Sequence, residues 1–160
     1  MKYISTILST TIIFAFLLTT CTKDKNSNIN LLEPVHINIS EDLNNNTELT
    51  HLISSTERDI NKISNSIEAL ILDNENIFIN YSANSEQNKK AKNNFWVSFA
   101  SSNTQLSIAI DKFNEEITRA QKHSIISHKQ FYSLIKISDT FENRILQLES
   151  KYSEIYSIKY

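Results

Sequence analysis

Residues 47–81 read TELTHLISSTERDINKISNSIEALILDNENIFINY, and this stretch decides the fold. Leu49, Ile53, Thr56, Ile60, Ile63, Ile67, Leu70, Asn74, Ile77 and Tyr81 follow one another at alternating steps of four and three. Such spacing places all ten on one seam of an α-helix. Leu52, Ile71 and Phe78 widen the stripe on one flank, as a helix facing two neighbours requires. Working outward, Phe95, Phe99, Ser102, Leu106, Ile110, Phe113, Ile117 and Ala120 repeat the pattern, and Phe131, Leu134, Ser138, Phe141, Ile145, Leu148, Tyr152 and Ile155 repeat it again. Three amphipathic helices of roughly 30 residues, each about 45 Å long, predict an all-α fold. The expected architecture is an antiparallel three-helix bundle with elongated helices. The alternative is a long helical hairpin or coiled coil that completes its core by dimerisation.

Two turns are expected between these helices. Residues 80–85 form the first, with Asn84 available for a left-handed conformation, Ser85 as N-cap and Glu86 in the first helical turn. The second is expected at 122–127. There Ser127 and Gln130 match a capping box, and Ile126 with Phe131 matches a hydrophobic staple. The seam itself continues across that point through Ser124 and Ser127, so one continuous helix from about 86 to 160 is the competing expectation. A turn would fold Ile125 and Ile126 onto the end of the bundle.

Composition bounds the function. The 160 residues contain no glycine and one proline, Pro34. A Walker loop, a dinucleotide fingerprint or a nucleophile elbow of the usual kind needs glycine, for positive φ or for close backbone approach. With 16 Lys and Arg against 18 Asp and Glu, the net charge is −2, which gives no basic excess for nucleic acid. None of the four histidines (His36, His51, His123, His128) sits at zinc-ligand spacing, and no metal or cofactor is expected. Asp111, Glu115 and Glu116 lie with Lys112, Arg119 and Lys122 on one helix, where Glu115–Arg119 is a favourable i, i+4 pair. A solvated face explains them better than acid–base chemistry. No catalytic residues are assigned, and the chain is not expected to be an enzyme.

The N-terminus carries an address. Lys2 precedes the apolar run Ile4–Leu18, which is too short for a comfortable membrane span and suits the h-region of a signal peptide. It ends at Leu18-Thr19-Thr20-Cys21, followed abruptly by polar residues, and Cys21 is the only cysteine. This stretch resembles a bacterial lipobox, with Leu18 at −3 and Cys21 at +1. It departs from the usual pattern at Thr20, where a smaller residue is customary. The resemblance implies that residues 1–20 are a lipoprotein signal peptide and that Cys21 is acylated, with palmitate-type chains as the anchor. An odd thiol in an exported chain is thereby explained. Loss of Lys2 with the signal leaves 15 basic against 18 acidic residues, a net of −3.

Residues 21–46, rich in Asn, Ser, Lys and Asp, read as a lipidated tether, and 47–160 as the helical body. Within the tether, Leu31, Leu32, Val35, Ile37 and Ile39 form an apolar cluster that suits a short strand or a flap laid on the body. An Ile-, Asn-, Ser- and Lys-rich chain with a loose lipobox, an Asn-rich tether and a small helical body resembles the surface lipoproteins of Borrelia-type spirochaetes. That resemblance implies an outer-membrane, cell-surface location, non-enzymatic binding of a host protein (a complement regulator such as factor H, another complement component, or a matrix ligand) and a role in immune evasion. The competing expectation is a periplasm-facing structural lipoprotein that acts through helix–helix oligomerisation, with Thr56, Asn74, Ser102 and Ser138 setting register. If the first helix runs away from the membrane, the aromatic residues gather at the far end. Trp96, Tyr156, Tyr160 and Tyr81 are then the candidate ligand-binding residues. An aromatic cap on the core explains the same residues without a ligand.

Overall fold

The computed structural model describes residues 31–75 and 86–157, with side chains from 89 onward in the second stretch. Cys21, the Leu18–Thr20 stretch, the 80–85 turn, Phe78, Tyr81 and Tyr160 lie outside the described residues. The architecture is an all-α bundle. Among the described residues five helices follow in order: α1 (Glu41–Asn44), α2 (Thr47–Asp73), α3 (Glu86–Lys122), α4 (His128–Lys151) and α5 (Ser153–Tyr156). The three long ones pack against one another. Ile53, Ile60, Ile67, Leu106, Phe113, Ile117, Leu134, Phe141 and Leu148 are almost wholly withdrawn from water at their centre. Burial of such side chains is the main favourable term in a glycine-free fold of this size.

The expected seams describe α3 closely, whereas α2 departs from its seam in an instructive way. Its buried positions are Leu49, Ile53, Thr56, Ile60, Ser64, Ile67, Glu68 and Ile71, while Ile63 and Leu70 are only half-buried. Leu49, Ile60 and Ile71 are eleven residues apart, the repeat of a helix that keeps about 3.67 residues per turn. A strict four–three seam holds only where a helix underwinds, and over this length the buried face drifts onto Ser64, Glu68 and Ile71.

The turn between α3 and α4 is formed, so the chain is not continuously helical there. Ser124 takes a left-handed conformation with φ of 57°. Its N–H donates to the Gln121 carbonyl at 3.0 Å, and the Ile125 N–H donates to the Ala120 carbonyl at 2.9 Å. These two bonds are a Schellman ending, made here with serine where glycine is usual. Ser127 caps α4 in a full capping box with Gln130. Of the two isoleucines expected on the bundle end, Ile126 is buried and Ile125 stays 62% exposed.

Residues 31–46, expected within the tether, include the flap laid on the body that was the other reading of their apolar cluster. They belong to the body. Leu43 of α1 is fully buried, and Val35 and Ile37 are core residues. Residues 31–39 form a strap antiparallel to α2: Leu32 meets Glu68, Val35 meets Asn61, and Ile37 meets Glu57. Five strap residues thus cover eleven of α2, about 16 Å at a helical rise, which is the advance of a fully extended chain. Side chains of α2, rather than a neighbouring strand, satisfy the strap's backbone. The strap is tied to α4 as well, because Arg144 Nη2 donates to the Glu33 carbonyl. At the far end of the strap, α1 is pinned to the start of α4. Gln130 Nε2 donates to the Asp42 carbonyl at 2.9 Å and Ser133 Oγ to Asp42 Oδ2 at 3.0 Å.

The strap also sets where the described chain begins. The chain enters the body at Leu31, beside Glu68 near the end of α2, and runs the length of α2 before turning back.

Candidate functional site

The end of the bundle where α2 finishes and α3 begins holds two adjoining clusters. The first is aromatic. On α3, Phe95 and Phe99 stack with centroids 5.5 Å apart, and Trp96 meets both edge-on at 4.9 and 5.7 Å. Tyr152 breaks α4 with φ of −114° and ψ of 36°, and the short α5 then carries Tyr156 across to Phe99 at 5.0 Å. The Tyr156 hydroxyl donates to Asn103 Oδ1 at 2.7 Å. Phe95 and Phe99 are buried, whereas Trp96 and Tyr156 are half-buried and packed on the core. Of the four expected ligand-binding residues, the structure brings Trp96 and Tyr156 together around Phe99. Their arrangement is that of a cap closing the core. Beside them Val97 is 63% exposed.

The second cluster is ionic and was not anticipated from the sequence. Glu68 is fully buried. Its Oε1 accepts from Lys151 Nζ and from the Tyr152 hydroxyl, each at 2.7 Å, and the Leu32 N–H donates to both carboxylate oxygens at 3.1 Å. A buried carboxylate requires this degree of satisfaction, since desolvation otherwise outweighs what the charge gains. Arg144, only 2% exposed, adds a second buried charge. Its desolvation pulls the guanidinium below its ordinary value, and the Glu68 charge opposes that shift. Burial, with the bond to Glu68 and the charge beside it, pushes the Tyr152 phenol far above its usual value. All these groups converge on the first residues of the strap. Their evident work is to hold that segment.

The sequence contained one usable signal for Glu68. It lies eleven residues after Glu57 and seven after Asn61, and these three α2 side chains take the strap's backbone. Arg144 lies three residues after Phe141 and four before Leu148, and so faces inward with them.

Elsewhere, Arg119 pairs with Glu116 one turn earlier, and not with the expected Glu115. His123 and His128 are exposed at the α3–α4 turn, with Gln121 Nε2 3.1 Å from His128 Nδ1. Among the described residues no three His, Cys, Asp or Glu side chains converge as metal ligands would. Among the same residues no helix is long and apolar enough to cross a membrane. A groove of about 790 Å³ runs between α2 and α3, lined by Leu52, Ile63, Ile108 and Ala109 with Lys62 and Glu116 at its margins. No protein-family model, curated protein or solved structure matches the chain.

Proposed function

We propose that the chain is a lipid-anchored surface module that presents a helical bundle to a protein of the host. The observation that supports this reading most directly is the closeness of anchor and body. An export-type segment ends at Cys21, and the bundle is already under way at Leu31, ten residues later. Two or three acyl chains hold a protein on a bilayer, whereas one binds only reversibly. Glu68 and Arg144, the two buried ionisable side chains among the described residues, both bond the backbone of the strap, which suits a rigid presenting scaffold better than a catalyst. The surface offered to a partner is the α3–α4 turn, where Ile125 and Tyr132 are 62% and 67% exposed.

Three measurements on cells and on the mature protein test this. Radiolabelled palmitate should enter the wild-type chain and not Cys21→Ser. External protease should remove the protein from intact cells. The purified mature chain should retain a serum or matrix protein that Ile125→Ser/Tyr132→Ala releases and Trp96→Phe does not. Protection from external protease would exclude the surface location. The groove between α2 and α3 favours a second reading, a periplasm-facing assembly lipoprotein whose copies meet along that groove. Light scattering that shows a stable dimer, lost on Ile108→Glu, would favour it.

A further inference from the structure

Resting on the acylation of Cys21 proposed above, we infer that the aromatic end of the bundle is its membrane-facing end, seated against the headgroups of the bilayer that holds the anchor. The argument starts from where the described chain begins. From Cys21 to Leu31 there are ten residues, which span at most about 36 Å however they are arranged. Leu31 enters beside Glu68, close to the end of α2. The opposite end of α2, at Thr47, is 21 residues away from Glu68 and therefore about 31 Å distant along the helix. With the α3–α4 turn toward the lipid, the ten residues would be almost used up in running back along the body, leaving about 5 Å to reach the bilayer. With the aromatic end toward the lipid, nearly the whole reach is available.

The side chains at this end suit that partner. Trp96 is half-buried with Val97 exposed beside it, and Leu31 is 42% exposed. Tryptophan with an aliphatic neighbour is the composition found at the boundary between headgroups and acyl chains. Lys89 and Lys90 lie exposed in the first turns of α3, while Asp73 closes α2 at the same end. Charges of both signs match a zwitterionic headgroup layer better than a strongly anionic one. Trp96 and its neighbours then serve the cell's own membrane, and the opposite end is left to face outward.

Trp96 is the only tryptophan and Cys21 the only cysteine, so the unacylated chain from Cys21 onward carries both the reporter and a free thiol as the handle without any substitution. The test couples Cys21 to a maleimide-headgroup lipid in phosphatidylcholine vesicles containing a headgroup-nitroxide lipid. Quenching of Trp96 by the nitroxide should be several-fold stronger than for tryptophan placed by Tyr132→Trp in a Trp96→Phe background. In the natural chain, coupling should also reduce quenching of Trp96 by aqueous iodide, a readout that needs no substitution. Equal nitroxide quenching at the two positions, stronger quenching at 132, or unchanged iodide access to Trp96 would overturn the inference. Because the coupling is chemical, its outcome is independent of whether cells acylate Cys21, which palmitate labelling decides separately.

Discussion

The side-chain amide of Asn61 holds both polar groups of Val35: Oδ1 accepts from the Val35 N–H at 2.7 Å, and Nδ2 donates to the Val35 carbonyl at 2.8 Å. One helix side chain thereby does for the strap what a neighbouring strand does in a sheet. The Val35 side chain meanwhile enters the core. To either side Glu57 and Glu68 accept the N–H groups of Ile37 and Leu32, so this part of the strap's fastening is distributed along a single face of α2.

Asn61→Ala removes the donor and the acceptor together and strands two partly buried backbone groups. Each such loss costs on the order of 1–3 kcal/mol where water cannot replace the partner, and partial exposure here keeps the total near the lower end, about 2 kcal/mol. Urea unfolding should show that loss, and hydrogen exchange at Val35 should accelerate more than exchange in α3. Asn61→Asp keeps the acceptor and loses the donor, so it should fall between the two.

Glu68 is the residue whose removal reaches furthest. Glu68→Leu leaves Arg144 buried without a countercharge and takes a bond from Leu32, Lys151 and Tyr152. Breaking a buried charge cluster on one side costs about 3–5 kcal/mol. Lys151, whose side chain is 25% exposed, can turn toward water and soften the effect, which places the expected loss near 3 kcal/mol. The double change Glu68→Leu/Arg144→Met should recover much of it, because an apolar replacement removes the stranded charge. Denaturant midpoints of the two single variants and the double one close the cycle, and strict additivity would mean that the two charges are not coupled.

How much of this was legible beforehand depends on which period a residue obeys. Phe99, Leu106, Ile110, Phe113 and Ile117 keep a four–three rhythm and were placed inside by it, as they are. The capping box at Ser127 and Gln130 was legible because it is a local device, set by four consecutive residues. Glu68 and Arg144 were not, because an ionisable side chain reads as solvent-facing until its partners are known, and those partners are 36 to 111 positions away in sequence. The strap was half legible. Val35, Ile37 and Ile39 announced an extended apolar segment, but the Asn-rich surroundings argued for a tether. Only the matching amide and carboxylates on α2 explain why it stays down.

Tyr152 supplies a pH dependence. Its phenol is held neutral in the fold well beyond its ordinary value near 10, by burial first and by the Glu68 charge and bond second. A phenol with a raised folded pKa binds its proton more tightly in the native state. The native state therefore keeps its advantage below pH 10 and loses it as the pH rises beyond, where the unfolded chain ionises and the folded one does not. Wild-type stability should fall between pH 10 and 11.5 more steeply than that of Tyr152→Phe. At pH 7 the phenylalanine variant should be the less stable by about 1 kcal/mol, from the lost hydrogen bond to Glu68. The gap should narrow or invert at alkaline pH, as followed by denaturant titration at fixed pH values. Parallel declines would assign the alkaline loss to other groups.

Ser124 offers the opposite kind of change, one that should stabilise. It ends α3 with φ of 57°, a conformation that a Cβ opposes by about 1 kcal/mol or more and that glycine adopts freely. Its side chain has no recorded role in the two backbone bonds that define the ending, which run from the Ser124 and Ile125 N–H groups to Gln121 and Ala120. Ser124→Gly therefore relieves the strain at little cost in contacts, offset in part by the greater freedom of glycine in the unfolded chain. A net gain of about 0.5–1 kcal/mol is expected, visible as a higher urea midpoint at unchanged slope. Ser124→Val, with a β-branched side chain in the same left-handed position, should lose at least as much as the glycine gains. If glycine and valine shifted the midpoint in the same direction, strain at the left-handed Ser124 would not be what these substitutions change.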